Sequence, residues 1–240
     1  RSYGDSAQLD KKSVVSLSNF NSFQLDTDKH IVTAKAGISF DELLSFIVPK
    51  GFFLPVSPGT RFVTVGGAIA SDVHGKNHHV NGSFGQNLKN LTLMDGTGEI
   101  QKLSPSDNEN PLNIKKFWAT VGGMGLTGII LEATFSVIPI SSSYVNVDTK
   151  RFSDIDSLMG EMTEADKKYR YSVAWVDSLN EKFRGVLTCG EHLDKSELEG
   201  DIGENPLKYD IKALTTAPNF FPSGLLNRFT VKTFNEAWFR

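Results

Sequence analysis

Over the first 140 residues, short β-branched runs alternate with glycine-rich turns, and this rhythm constrains the fold more than any other feature of the chain. "SVVSLS" (13–18) and "HIVTAKAG" (30–37) have strand character, the second ending at Gly37. "SFDELLSFIVPKG" (39–51) interrupts the pattern with helical spacing. Ser39 is placed to cap that helix, Glu42 three residues on completes a capping box, and Pro49 and Gly51 end it. "LKNLTLMDGTGEIQKLS" (88–104) predicts a hairpin around "DGTG". "PLNIKKFWAT" (111–120) predicts a short helix, and "GLTGIILEATFSVIPI" (125–140), rich in Ile, Val, Thr and Phe, predicts a long half-buried strand.

From Ser141 the texture changes. Glycine thins out, charge rises and longer amphipathic stretches appear. "FSDIDSLMGEMTEADKKY" (152–169) sets Ile155, Leu158, Met159 and Met162 at helical spacing, with Ser153 as its cap. "RYSVAWVD" (170–177) and "FRGVLTCG" (183–190) follow as strands. The expectation is an α+β protein with one domain over residues 1–140, a second over 141–240 and a boundary near 138–145. The chain opens on "RSYGDSAQLD", without methionine and already in turn chemistry, and closes on "FNEAWFR". Both domains are therefore expected to be truncated, the first at its N-terminal side and the second at its C-terminal side.

Composition removes several classes of function. A net charge of −3 gives no electrostatic reason for nucleic acid as a partner. The single cysteine, Cys189, rules out an internal disulfide framework and a cysteine zinc cluster, and it suits a reducing, cytoplasmic compartment. No run of apolar residues is long enough for a transmembrane helix, and no signal peptide is visible.

Four loops have the residues to hold a charged ligand: "RSYGD" (1–5), "SPGTRFVTVGGAIASD" (57–72), "HGKNHH" (74–79) and "GGMGLTG" (122–128). Glycine lets backbone approach a ligand without a Cβ in the way, although 21 glycines can also simply serve tight turns. "GMGLTG" (123–128) matches the dinucleotide fingerprint letter for letter, but a helix precedes it and a strand follows, the reverse of what that fingerprint requires. "HGKN" fails as a nucleotide-phosphate loop, because residue 70 is Ala and Asn77 stands where a magnesium-binding hydroxyl belongs. His74 and His78 stand four apart, as zinc ligands on a helix would, yet Gly75 and Asn77 oppose a helix there. No metal site is expected. Residue chemistry alone stops at a β-rich domain with anion-binding loops.

Taken together, "RSYGD", "PVSPGTRFVTVGGAIASDVHGKNHHVNGSFG", "FWATVGGMGLTGII" and "YSVAWVD" resemble the flavin oxidoreductases of the vanillyl-alcohol-oxidase type, which share the PCMH-type FAD-binding domain. Within that superfamily the likeness is to the subgroup that oxidises polyprenyl-phosphate-linked ribose, and it runs over essentially the whole chain. The resemblance implies a two-part FAD-binding domain followed by an α+β substrate domain of antiparallel sheet and helices, with FAD between them. It implies that Ser2, Tyr3, Gly4 and Asp5 form one phosphate loop, that Gly59, Thr60, Thr64, Gly66 and Gly67 form another, and that Ser71, His74 and Gly75 approach the flavin. Asn81, Gly82, Ser83 and Ile129 would face the flavin or its adenosine half. Many relatives tether FAD through a histidine where this chain has Arg1, so FAD is expected to be non-covalent.

The mechanism that follows is hydride transfer from a carbinol carbon to the flavin, with His74 near the hydroxyl as proton acceptor or relay. Lys76 is a candidate for the substrate phosphate or for charge near the flavin, and Trp175 for a wall of the substrate pocket. Val173 stands where the family has a serine, which removes a hydroxyl from that pocket, and Cys189 is expected to be a buried strand residue. The implied substrate is the 2′-OH of a polyprenylphosphoryl-ribose, a precursor of cell-wall arabinan. An NADPH-dependent reductase would be the partner that completes epimerisation. Two alternatives stay open: an aldono-lactone or alditol oxidase of the D-arabinono-1,4-lactone oxidase kind that uses O2, and a flavin-binding protein without oxidase turnover. A lipid-linked substrate would also allow peripheral association with the inner face of a membrane.

Overall fold

A computed structural model describes residues 14–107, 109–210, 224 and 226–240. In chain order the elements are β1 (Phe23–Asp26), β2 (Ile31–Lys35), α1 (Phe40–Ile47), β3 (Phe52–Phe53), α2 (Val65–Ala70), α3 (His78–Asn81), β4 (Leu88–Met94), β5 (Ile100–Leu103), α4 (Pro111–Thr120), β6 (Ile129–Ser136), β7 (Ile138–Pro139), β8 (Val145–Phe152), α5 (Ile155–Ala165), β9 (Tyr171–Val176), β10 (Gly185–His192), α6 (Gly200–Glu204) and α7 (Arg228–Phe239). The fold is α+β with antiparallel sheets. Two compact units divide it: the described residues up to Ser143 with Asp194–Lys208, and Tyr144–Leu193 with the described residues from Tyr209 onward.

The first unit is built on a five-stranded sheet in the order β1-β2-β6-β4-β5. Ser39 and Glu42 form the capping box expected of them, with Ser39 accepting from the Glu42 amide and Glu42 accepting from the Ser39 amide. Phe40, Leu43, Leu44 and Ile47 recur at the helical period and are all buried, which is why α1 folds onto the sheet. Gly51 takes up a left-handed φ of 82° and closes the turn that follows α1. At the β4–β5 turn the Asp95 carboxylate accepts from the Thr97 amide and hydroxyl and from the Glu99 amide, so "DGTG" organises itself. Phe84, Leu91, Leu103, Phe117 and Phe135 are fully buried and form the centre of the unit.

Several local expectations need correction. Residues 14–18 form no strand, and Val14 and Val15 are exposed; the first ladder is instead β1 against β2, Phe23 opposite Ala34. The strand expected over 125–140 begins only at Ile129, because Gly125 and Gly128 are in positive-φ turn geometry, and it breaks at Val137, whose amide turns to the His30 carbonyl. Asp154, not Ser153, caps α5: its carboxylate accepts from the amide and hydroxyl of Ser157, while the Ser153 hydroxyl donates to it. A carboxylate both accepts two bonds and carries the charge that a helix N-terminus favours.

The second unit is the sheet β8-β10-β9, with α5 on one face. Ala165 packs there with Leu187 and the buried thiol Cys189. α7 is tied to the same unit by Asp177, whose carboxylate is almost fully buried. It accepts from Arg184 Nε at 3.1 Å, Asn235 Nδ2 at 2.5 Å and the Leu179 amide at 3.1 Å. Arg184 also pairs with Glu236 at 2.7 Å and stacks over Phe239. Burial pushes the Asp177 pKa up, but the bonds from Asn235, Arg184 and Leu179 outweigh it and hold the group below its ordinary 3.8. Its stabilisation is therefore present above pH 3.8 and is lost as the pH falls through the lower folded value. Asp177→Asn is expected to cost about 1.5–3 kcal/mol at neutral pH, the worth of hydrogen bonds to a charged group. The gap in urea midpoint between parent and variant should hold between about pH 5 and 8 and narrow in stronger acid. A gap that widened on acidification would reverse the sign assigned here.

Candidate functional site

A cleft of about 670 Å³ opens in the first unit. Thr64, Gly66, Gly67 and Ile129, four of the residues expected at the cofactor, line it. Gly37 at the end of β2, Ala70 at the end of α2, and Gly125 and Gly128 of the turn before β6 complete its glycine and alanine surface. Ser16 and Ser18 add hydroxyls, and among the described residues no charged side chain lines it.

Two kinds of glycine make this surface bare. A Cβ on Gly37 would stand 1.9 Å from the Leu17 carbonyl oxygen, and one on Gly66 would stand 2.9 Å from the Ala36 Cβ, so these glycines are required by chain packing. A Cβ on Gly67 would meet only the Thr64 hydroxyl at 3.2 Å, and one on Gly125 would meet nothing within 4 Å. At Gly125 the missing side chain leaves open space, and at Gly67 the exposed backbone is crowded only by the Thr64 hydroxyl, so both leave room for a ligand to reach backbone. The cradle has the volume and the small-residue surface to take part of a large cofactor such as FAD, with the Thr64, Ser16 and Ser18 hydroxyls as its polar side chains.

The first-turn amides of α2 are not free donors for a pyrophosphate. Val65 N–H donates to Ile38 O and Gly66 N–H to Ala36 O, both at 2.9 Å, and Gly67 N–H donates to the Thr64 hydroxyl at 3.2 Å. What α2 presents is its small-residue surface and the Thr64 side chain. The turn over 122–128 is docked on the other end of this helix, with Gly122 N–H donating to Ile69 O and Met124 N–H to Ala70 O. Its neighbours are α4 before and β6 after, the order that argued against a dinucleotide fingerprint.

The histidine loop is a second, separate feature of the unit. His74 bridges to Ser83, Phe84 N–H donates to Val73 O at 2.8 Å, and the chain between forms a closed loop. His74, Lys76, His78 and His79 are exposed on it, and Asn77 alone is fully buried. The His74 and His78 rings lie edge to face, 5.9 Å between centroids. Asn77 caps α3, so His78 opens that short helix while His74 stays outside it, and the two do not share a helical face. No group of three His, Cys, Asp or Glu side chains suited to a metal ion occurs among the described residues.

The remaining expected positions fall around these two features. Ser71 ends α2, and Gly75 backs onto Ser57, where a Cβ would come within 2.5 Å of the Ser57 carbonyl oxygen. Asn81, Gly82 and Ser83 form the return arm of the loop, held by Asn87 Nδ2 donating to the carbonyls of Asn81 and Ser83. Gly59 and Thr60 form an exposed turn ahead of α2. None of these residues lines the cleft. Arg1, Ser2, Tyr3, Gly4 and Asp5 lie outside the described residues.

Trp175 belongs to the second unit. It lies on β9 opposite Val186, and on the same sheet face as Val173, Thr188 and Thr149. That face is the one turned away from α5. At its end the Tyr171 hydroxyl and His192 Nε2 are 3.0 Å apart. Burial pushes the Tyr171 pKa up to about 12 and lowers that of His192. Nothing in the sequence pointed to this pair, because its members sit 21 residues apart on different strands.

Residues 1–104 match the FAD binding domain model. The whole chain aligns with decaprenylphosphoryl-beta-D-ribose oxidase of Mycolicibacterium smegmatis, at 38% identity over 245 residues and 52% of that protein's length. A D-lactate dehydrogenase of Anaerostipes hadrus is 27% identical over 56% of the chain and 28% of its own length. A putative D-arabinono-1,4-lactone oxidase of Neurospora crassa is 29% identical over 54% of the chain and 22% of its own length. The chain thus spans about half the length of the first of these relatives and less of the other two.

Proposed function

We propose that this protein is an FAD-dependent oxidoreductase acting on a CH–OH group of a lipid-linked sugar, a reading supported by the match of residues 1–104 to the FAD binding domain model. The observation that carries the reading is the bare cleft, bounded by Thr64, Gly66 and Gly67 inside the matched residues and by Gly125 and Ile129 just beyond them. The likeness to a decaprenylphosphoryl-ribose oxidase along the entire chain supports a polyprenylphosphoryl-ribose as substrate, oxidised at the 2′-hydroxyl. The two-part FAD domain and the separate substrate domain of that family are part of the same proposal.

When bound, FAD supplies the hydride acceptor for the carbinol carbon. The chain's own residues do the rest. Thr64, Gly66, Gly67 and Ile129 would hold the cofactor through the small-residue surface of α2, the Thr64 side chain and the start of β6, and with Arg1 in place of a tethering histidine the seat would be non-covalent. His74 takes the hydroxyl proton as the carbon loses its hydride, leaving a keto sugar. Lys76, exposed two residues on, meets the substrate phosphate, and Trp175 and Val173 offer an apolar sheet face to the sugar or its lipid. The keto product calls for a reductase partner using NADPH. Among the described residues no helix is long and apolar enough to cross a membrane.

The test is spectroscopic. The purified protein should carry a yellow flavin chromophore that is released on acid precipitation, as a non-covalent cofactor is. Farnesylphosphoryl-ribose should bleach it under anaerobic conditions, and free ribose and aldono-lactones should not. A colourless protein that FAD cannot reconstitute sinks the reading, and bleaching by lactones alone moves the substrate to the lactone-oxidase class.

A further inference from the structure

We propose that Asn77 is a positioning residue for His74: its buried carboxamide fixes the loop that carries the imidazole and so sets the rate of oxidation without touching substrate or cofactor. The proposal rests on the role given to His74 above. In the run His74–His79 the other polar side chains are exposed, whereas Asn77 is 0% exposed. Its Nδ2 donates to the Pro55 carbonyl at 2.6 Å and to Asn81 Oδ1 at 3.0 Å. Two acceptors facing one nitrogen fix which way the amide points. Its own carbonyl accepts from the Val80 and Asn81 amides, at 3.0 and 2.9 Å.

One residue therefore joins three pieces of chain: the segment ahead of α2, the outgoing arm of the loop and its return arm. Gly75 is pressed between them, since a Cβ there would lie 2.5 Å from Ser57 O and 2.8 Å from Asn77 Oδ1. The Gly75 carbonyl accepts from His78 N–H at 3.2 Å, and the His78 ring is the neighbour against which the His74 ring is set. Asn77 thus reaches His74 from both sides, through Gly75 in the chain and through His78 in space. Among the described residues Asn77 Oδ1 is buried with no hydrogen-bond partner, so the contribution of the carboxamide lies in Nδ2, which joins the Pro55 carbonyl to the Asn81 side chain.

The experiment is a double-mutant cycle in the intact, flavin-loaded protein, read by anaerobic flavin reduction with saturating farnesylphosphoryl-ribose. Asn77→Ala is expected to slow reduction about tenfold with little change in the half-saturating substrate concentration, and to add less than about twofold when His74→Ala is already present. In the flavin-free protein, hydrogen exchange of the amides of residues 75–82 should accelerate while that of the β4–β6 ladder does not. Asn77→Asp keeps the volume but turns a second acceptor toward Pro55 O and Asn81 Oδ1; should the alanine variant fail to fold, the aspartate variant should show the same non-additivity. A wild-type rate in either variant, or an undiminished loss in the His74→Ala background, overturns the proposal. A wild-type rate in His74→Ala itself is a different result: it removes His74 from the chemistry and takes the Asn77 proposal with it.

Discussion

His74→Ala is expected to slow flavin reduction by about 10²- to 10⁴-fold, the usual contribution of a positioned general base, while FAD remains bound. The split follows from the geometry. The imidazole is exposed on its loop and is no part of the cleft surface, so its removal takes away a proton acceptor and no wall of the cofactor seat. The backbone bridge from His74 to Ser83 survives the substitution, because it does not depend on the side chain. Stopped-flow reduction under anaerobic conditions reports the first quantity and FAD release by ultrafiltration the second. His78→Ala gives the comparison: its exposed ring packs edge to face on His74, so its loss should slow reduction by much less than loss of the imidazole itself and change stability by no more than about 0.5 kcal/mol. Unchanged reduction in His74→Ala removes the residue from the mechanism, and FAD lost in step with rate makes it a cofactor contact.

What the sequence made legible and what it hid divide along physical lines. The capping box of Ser39 and Glu42, the Asp95 turn and the helix that begins at Pro111 are local devices, complete within a few residues, and each is where the pattern put it. β8 was missed because "VNVDTKRF" is exposed along nearly all its length and so shows no alternation of apolar and polar residues. α7 is likewise mostly exposed, and it is held by the Asp177–Arg184–Glu236 cluster, which spans more than 50 residues of sequence. At the site, glycine could be recognised as permissive, but not whether the permission served a ligand or a neighbouring chain. Gly66 and Gly75 are needed by Ala36 and Ser57, whereas Gly125 faces open space and Gly67 meets only the Thr64 hydroxyl. Gly37 is a cleft residue that strand punctuation disguised. Asn77 showed only as a residue unsuited to a helix, and its burial depends on Pro55, 22 residues earlier.

Gly67→Leu is expected to weaken FAD binding by about 100-fold or more, some 2.7 kcal/mol, while the flavin-free protein melts no lower than its parent. The two effects have opposite sign because the position has two faces. Within α2 the chain gains from losing a glycine, by up to about 1 kcal/mol, and a Cβ there meets only the Thr64 hydroxyl at 3.2 Å. Toward the cleft, a branched side chain occupies the space that backbone now leaves open. Two glycines calibrate the result. Gly66→Leu drives its Cβ against Ala36 at 2.9 Å and should lower the melting temperature of the flavin-free protein itself, so its loss of FAD would carry no information about the cleft. Gly160→Ala, on the exposed side of α5 with nothing within 4 Å, should raise stability and leave FAD untouched. Calorimetry on the flavin-free proteins and FAD titration by fluorescence quenching separate these outcomes. If leucine at position 67 leaves the titration unchanged, the cleft is not the cofactor's seat, and the FAD reading passes to the loop of residues 71–83, whose exposed histidines would then have to act as cofactor contacts.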